Sequence, residues 1–158
     1  MKFATSVLIV VGSMSLVASQ VQPAPTHTRS LGDGVYTSAQ MKRGESLYNQ
    51  YCASCHMLDL LGNPTNPPGQ PASVRFTGVP SGSPPLRGAQ FVSNWTGLTL
   101  KDLFFRIRVS MPQNAPGSLS RQQNADILAF ILAENTYPAG VQELQPADAP
   151  LEEIRILQ

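Results

Sequence analysis

Cys52-Ala53-Ser54-Cys55-His56 is the stretch on which the reading of this 158-residue chain turns. Two cysteines separated by two residues, with a histidine directly after, form C-x-x-C-H, the attachment pattern of a c-type haem. The chemistry needs that spacing. Two thiols add to the two vinyl groups along one porphyrin edge, and two intervening residues let the backbone turn between them. The next residue then lies under the ring, so His56 can give its Nε2 to iron as proximal ligand. Three other readings compete. An exported chain with two cysteines often pairs them as a disulfide. A thioredoxin-like redox pair needs a surrounding βαβ pattern, which is missing. A zinc site would lack a convincing fourth ligand. Neither reading of the cysteines as a pair accounts for the adjacent His56.

An oxidising, extracytoplasmic setting is implied by the start of the chain. Lys2 precedes an apolar run from Val7 to Val11, and a second apolar patch ends in Leu16-Val17-Ala18-Ser19. A short positive start, a hydrophobic stretch and small residues at a cleavage site make a secretory signal peptide. The run is too short and interrupted for a span of roughly 20 apolar residues, so stable membrane insertion is not expected. No Cys follows the expected cut, which disfavours a lipid anchor there.

Composition narrows the function further. Charged residues make up 13% of the chain, against about 25% in a typical soluble protein. Net charge is +1, and removing Lys2 brings it to zero. A balance of that kind disfavours nucleic acid or an anionic membrane surface as partner. With 12 glycines and 14 prolines, much of the chain should be loop, and its core would gain from a large apolar cofactor.

The periodicity predicts an all-α domain of three or more helices with long Pro/Gly-rich loops. One helix should begin near Thr37 or Ser38, with Ser38 as N-cap, and pass through Gly44, Leu47 and Tyr48 to about Tyr51. Seven prolines and four glycines between Leu60 and Pro85 exclude a long helix there. An irregular segment of that length in a small domain is usually functional. Thr99 can cap a second helix with Leu100, Leu103, Phe104 and Ile107 on one face. Ser120 and Gln123 have capping-box spacing before Ile127, Leu128, Ile131 and Leu132, and Asn135 and Pro138 end that third helix. The stretch after residue 141 carries no clear pattern.

The iron's sixth position decides between electron transfer and ligand chemistry. Met57 adjoins the proximal ligand and cannot reach the other face. Met41 falls on the helix entering the motif, where packing is its expected role, and His27 sits in the polar leader. Met111 lies in Ser110-Met111-Pro112, a loop that Pro112 stiffens, and it is the expected axial ligand beside His56. Trp95 can donate its indole N–H to a haem propionate, and Arg87, Arg106 and Arg108 are candidate partners for propionate charge.

Over residues 37–137 the chain resembles class I c-type cytochromes with one haem. The residues carrying the likeness are Gly44, Tyr48 and Cys52 at four-residue intervals, the haem motif, Phe130 on the last predicted helix, and Pro84-Pro85-Leu86-Arg87-Gly88. The resemblance implies a cytochrome c fold in which Gly44 permits close helix crossing. It also implies that the Pro84 carbonyl accepts from His56 Nδ1–H and that Leu86 packs on the haem. Trp95-Thr96-Gly97-Leu98-Thr99-Leu100, Met111-Pro112 and Tyr137-Pro138-Ala139-Gly140 are similar to cytochromes associated with quinoprotein (PQQ) alcohol and sugar dehydrogenases.

The expected organisation is a signal peptide over 1–19, a flexible leader over 20–36, a cytochrome c domain over 37–141 and a C-terminal tail over 142–158. The expected function is a periplasmic single-electron carrier with one covalent haem c, rather than an enzyme. A periplasmic dehydrogenase would be the donor and a terminal oxidase or other cytochrome the acceptor. A five-coordinate haem protein acting on a small ligand, or a cytochrome subunit of a quinoprotein dehydrogenase complex, are the alternatives.

Overall fold

The computed structural model describes residues 29–63 and 82–157. The expected signal peptide, His27 and most of the Pro/Gly-rich stretch lie outside the described residues. The fold is all-α, as expected: six helices and one two-stranded pairing lie among the described residues.

Helix α1 spans Ser38–Tyr51, and its cap is Thr37 rather than Ser38. Thr37 has extended dihedrals and its hydroxyl accepts from the Gln40 N–H at 3.1 Å, so Ser38 is already the first helical residue. The Cys52 N–H still donates to the Tyr48 carbonyl at 2.8 Å. A single turn, α2 (Ala53–His56), then continues the path, and the His56 N–H donates to the Cys52 carbonyl at 2.9 Å. The haem motif therefore sits on helical backbone, a turn beyond the expected helix end.

Helix α3 (Gly88–Trp95) was not expected from periodicity, because eight residues carry too few repeats to stand out. Helix α4 (Leu100–Ser110) begins at a reciprocal capping box between Thr99 and Asp102. Helix α5 (Arg121–Glu134) begins at the expected Ser120–Gln123 box and buries every residue from Asn124 to Leu132. Asn135 closes it: its amide donates to the Leu86 and Ile131 carbonyls at 2.9 and 2.8 Å and accepts from the Gly88 N–H at 3.0 Å. One side chain thus ends α5 and anchors the start of α3.

The dominant packing is α1 across α5. Gly44 makes it close, and the Tyr48 and Phe130 rings meet one turn further on at 5.1 Å between centroids, tilted by 48°. Such a pair contributes about 0.5–1.5 kcal/mol beyond area burial. Arg43 forks from α1 to Asp126 (3.0 and 3.1 Å) and to Glu143 (2.9 and 3.0 Å).

The described part of the expected flexible leader, and the stretch after residue 141 whose structure the pattern leaves open, both pack against the domain. Residues 29–36 are not flexible chain: Leu31, Val35 and Tyr36 are buried, and strand β1 (Arg29–Ser30) pairs in parallel with β2 (Ile154–Arg155). Between α5 and β2, helix α6 (Asp148–Glu152) lies on α4, and Leu144, Leu151, Ile154 and Ile156 are buried. These segments have too few residues per turn of pattern to be read alone. Their apolar side chains are buried against elements distant in sequence.

Candidate haem site

The chain around the motif reverses sharply. After His56, Met57 takes φ 67° and ψ 159°, Leu60 takes φ 59° and Gly62 φ 62°. Gly62 is required here, because a Cβ would stand 2.4 Å from the Ser83 carbonyl oxygen and 2.6 Å from that of Pro84. The Tyr48 hydroxyl donates to the Met57 carbonyl at 2.6 Å and holds the reversal against α1. On either side of residues 64–81 the chain is joined by Asn63 N–H to Ser83 O (2.9 Å) and Gly82 N–H to Asn63 O (2.8 Å). Leu86 N–H then donates to Leu60 O at 2.8 Å. This pairing lays Pro84-Pro85-Leu86 beside the motif.

His56 is buried, and its Nδ1 lies 2.9 Å from the Pro84 carbonyl oxygen. A carbonyl only accepts, so Nδ1 carries the hydrogen and Nε2 keeps its lone pair. Burial pushes the His56 pKa below its ordinary value, and the Pro84 carbonyl partly offsets that. The neutral imidazole is the form able to ligate a metal. Burial also pushes the Cys52 thiol up to about 11, with Cys55 adding to the rise. The two sulfurs are not bonded to each other. No cluster of three or more His, Cys, Asp or Glu able to hold a metal ion occurs among the described residues.

A cavity of about 430 Å³ opens over the motif. The expected attachment, ligand and packing residues all line it: Cys52, Cys55 and His56, Pro84 and Leu86, Trp95, and Met111. They come from four places in the chain, with Met111 at the C-cap of α4 and its N–H donating to the Ile107 carbonyl at 2.9 Å. The Met111–Pro112 peptide bond is cis. Leu103, Ile107, Ile127 and Ile131 supply apolar wall.

The arginines separate. Arg106 lines the cavity, whereas Arg87 pairs with Glu134 at 3.2 Å and Arg108 lies over the Phe105 ring at 5.7 Å. Asn94 and Gln113 also line the cavity and were not singled out in the sequence. Asn94 sits on the helix that periodicity missed, and Gln113 follows a proline in a loop, so neither carried a pattern.

The donor set suits covalent haem. Two thiols lie one helical turn apart beside a buried imidazole with a fixed tautomer, and the adjoining space has apolar walls with polar groups among them. Residues 39–131 match the family described as Cytochrome C oxidase, cbb3-type, subunit III. No curated protein and no solved structure matches the chain. The match covers more than half of the chain and includes the haem motif, Pro84, Met111 and most of α5, so the chain belongs to this cytochrome c family, with a covalently bound haem c and an electron-carrying role.

Proposed function

We propose that the chain is a periplasmic single-electron carrier whose haem iron is closed on both sides, by His56 Nε2 and Met111 Sδ. One observation carries this reading. Met111 lines the same cavity as Cys52, Cys55 and His56, although it is far from them in sequence. Cys52 and Cys55 hold the cofactor through thioethers, and Pro84 fixes the imidazole through Nδ1–H, as an outer partner of a ligating histidine does. Bound haem c supplies one-electron redox chemistry. A thioether ligand favours ferrous over ferric iron relative to a second imidazole and raises the reduction potential. Leu86, Leu103, Ile107, Ile127 and Ile131 supply apolar wall for the ring, and Trp95 and Arg106 are donors for the propionates, with the Asn94 and Gln113 amides on the same cavity.

Export rests on the pattern of residues 1–19, and no helix among the described residues is long and apolar enough to cross a membrane. A periplasmic dehydrogenase serves as donor and a terminal oxidase or other cytochrome as acceptor. The resemblance to cytochromes of quinoprotein dehydrogenases, including those that act as complex subunits, supports that direction of flow. With net charge near zero, electrostatic steering is weak and encounter rates depend only modestly on salt.

Absorption spectroscopy of the oxidised protein tests the ligand pair. The far-red charge-transfer band of thioether-ligated ferric haem should be present and should vanish in Met111→Ala. A wild-type protein without that band, binding added ligands freely at iron, would favour the five-coordinate reading instead.

A further inference from the structure

We infer that Asn124 is a positioning residue that clamps the loop carrying Met111 and so keeps the thioether on iron; this rests on the assignment of Met111 proposed above. Among the described residues, few hydrogen bonds hold the loop from Met111 to Ser120. Its internal bonds are two turns, Ala115 N–H to Pro112 O at 2.9 Å and Ser118 N–H to Ala115 O at 3.2 Å. Residues 113–118 are all exposed. Beyond Met111, Pro112 and Gln113, which line the cavity, the next side chain to turn inward is Leu119, which is buried. Its carbonyl is the point at which the loop is tied to the interior. Asn124 Nδ2 donates to Leu119 O at 3.2 Å and to Ser120 O at 2.8 Å from a fully buried side chain.

The same side chain holds the one buried side-chain polar atom without a partner among the described residues, Asn124 Oδ1. The two carbonyl acceptors fix which end of the amide faces them, so the orphan is the oxygen and not a misassigned nitrogen. Leaving a buried acceptor unpaired is costly. Ala125 and the residues from Ile127 to Leu132 are buried and apolar, so an apolar side chain at 124 would remove that cost. It would also leave the Leu119 carbonyl buried without a donor. An amide at 124 is the exchange of one orphan for a held loop. Without it, the exposed turns pivot about α4, and Met111 competes less well with other ligands for iron.

Imidazole binding to the oxidised, haem-loaded protein measures that competition. In Asn124→Leu, close in size and without donors, the apparent imidazole affinity should rise about tenfold and the far-red band should weaken. Asn124→Ser, whose hydroxyl can bond back only to the Ser120 carbonyl, should behave likewise. Lowered thermal stability with unchanged imidazole affinity and an unchanged band in both variants would overturn the clamp and leave a packing role. If neither variant gives folded protein, the unsubstituted protein decides. Its Asn124 Nδ2 hydrogens should exchange slowly and accelerate when imidazole displaces Met111; equal rates in both states would overturn the inference. A wild-type protein lacking the far-red band would instead sink the Met111 assignment itself.

Discussion

Any side chain at position 44 would place its Cβ 1.8 Å from the Asp126 carbonyl oxygen and 3.0 Å from Phe130 Cβ. The first neighbour is helix backbone and cannot rotate away, so Gly44 sets how closely α1 and α5 cross. Gly44→Ala gains helix propensity, but the clash outweighs it and the helices must separate. We expect a loss of about 3 kcal/mol, at the upper end of overpacking costs. Denaturant titration of the haem-loaded protein measures it, and a change within about 0.5 kcal/mol would contradict the crossing geometry.

Met57 occupies a backbone region, φ 67° and ψ 159°, that is open essentially only to glycine. Strain of that kind costs on the order of 1–3 kcal/mol. Met57→Gly should therefore raise stability by about 1 kcal/mol after the entropy cost of the new glycine is subtracted. Thermal melts of paired wild-type and variant protein check the sign. A lower melting temperature for the glycine variant would mean that the partly buried Met57 side chain contributes more than the backbone strain removes.

Tyr48 links stability to alkaline pH. Burial, first, and the nearby Asp59 and Glu134 raise its phenol pKa well above the ordinary value. Tyrosine in the unfolded chain ionises near pH 10, while native Tyr48 keeps its proton and donates to the Met57 carbonyl. The contribution is thus fully present below about pH 10 and declines as pH rises further, since the unfolded state then holds fewer protons. Tyr48→Phe should cost about 1 kcal/mol at neutral pH, and the gap to wild type should narrow at alkaline pH. Tyr36 and Tyr137 are shifted in the same direction and remain in both proteins, so the slope is reduced and not abolished. Unfolding midpoints at about pH 8 and about pH 11 bracket the change; a constant gap would refute the linkage.

Gln40 is the tie between α1 and the C-terminal segment. Its fully buried amide donates to the Leu144 carbonyl at 3.0 Å and accepts from the Leu144 N–H at 2.7 Å. Gln40→Ala leaves both backbone groups buried and unpaired, at a cost of about 2–3 kcal/mol. Hydrogen exchange should then quicken over residues 142–157 before it does in α5. Uniform exchange changes along the chain would show that the segment is not a separable unit.

Much of the site is legible without tertiary structure, because its chemistry is local. Two thiols and an imidazole at C-x-x-C-H spacing lie within about one helical turn, so the order of five residues fixes what they can attach. The α4 and α5 boundaries are legible for the same reason, since Thr99 with Asp102 and Ser120 with Gln123 form their capping bonds within one turn. Met111 is legible as a methionine in a proline-stiffened loop, whereas the role of Pro84 follows from the family likeness alone.

Relations between distant segments were decided only by folding. Asn94 and Gln113 reach the cavity, Arg87 pairs with Glu134 instead, residues 29–36 pack where flexible chain was expected, and residues 142–157 pack without a legible pattern. None of these has a periodic signature, because each depends on which surface a short segment meets once α1 and α5 have crossed. Sequence order alone determined the covalent chemistry of the haem motif. Whether a fourth helix, two terminal segments and a buried amide at Asn124 would surround it depended on burial and hydrogen-bond satisfaction across the whole chain.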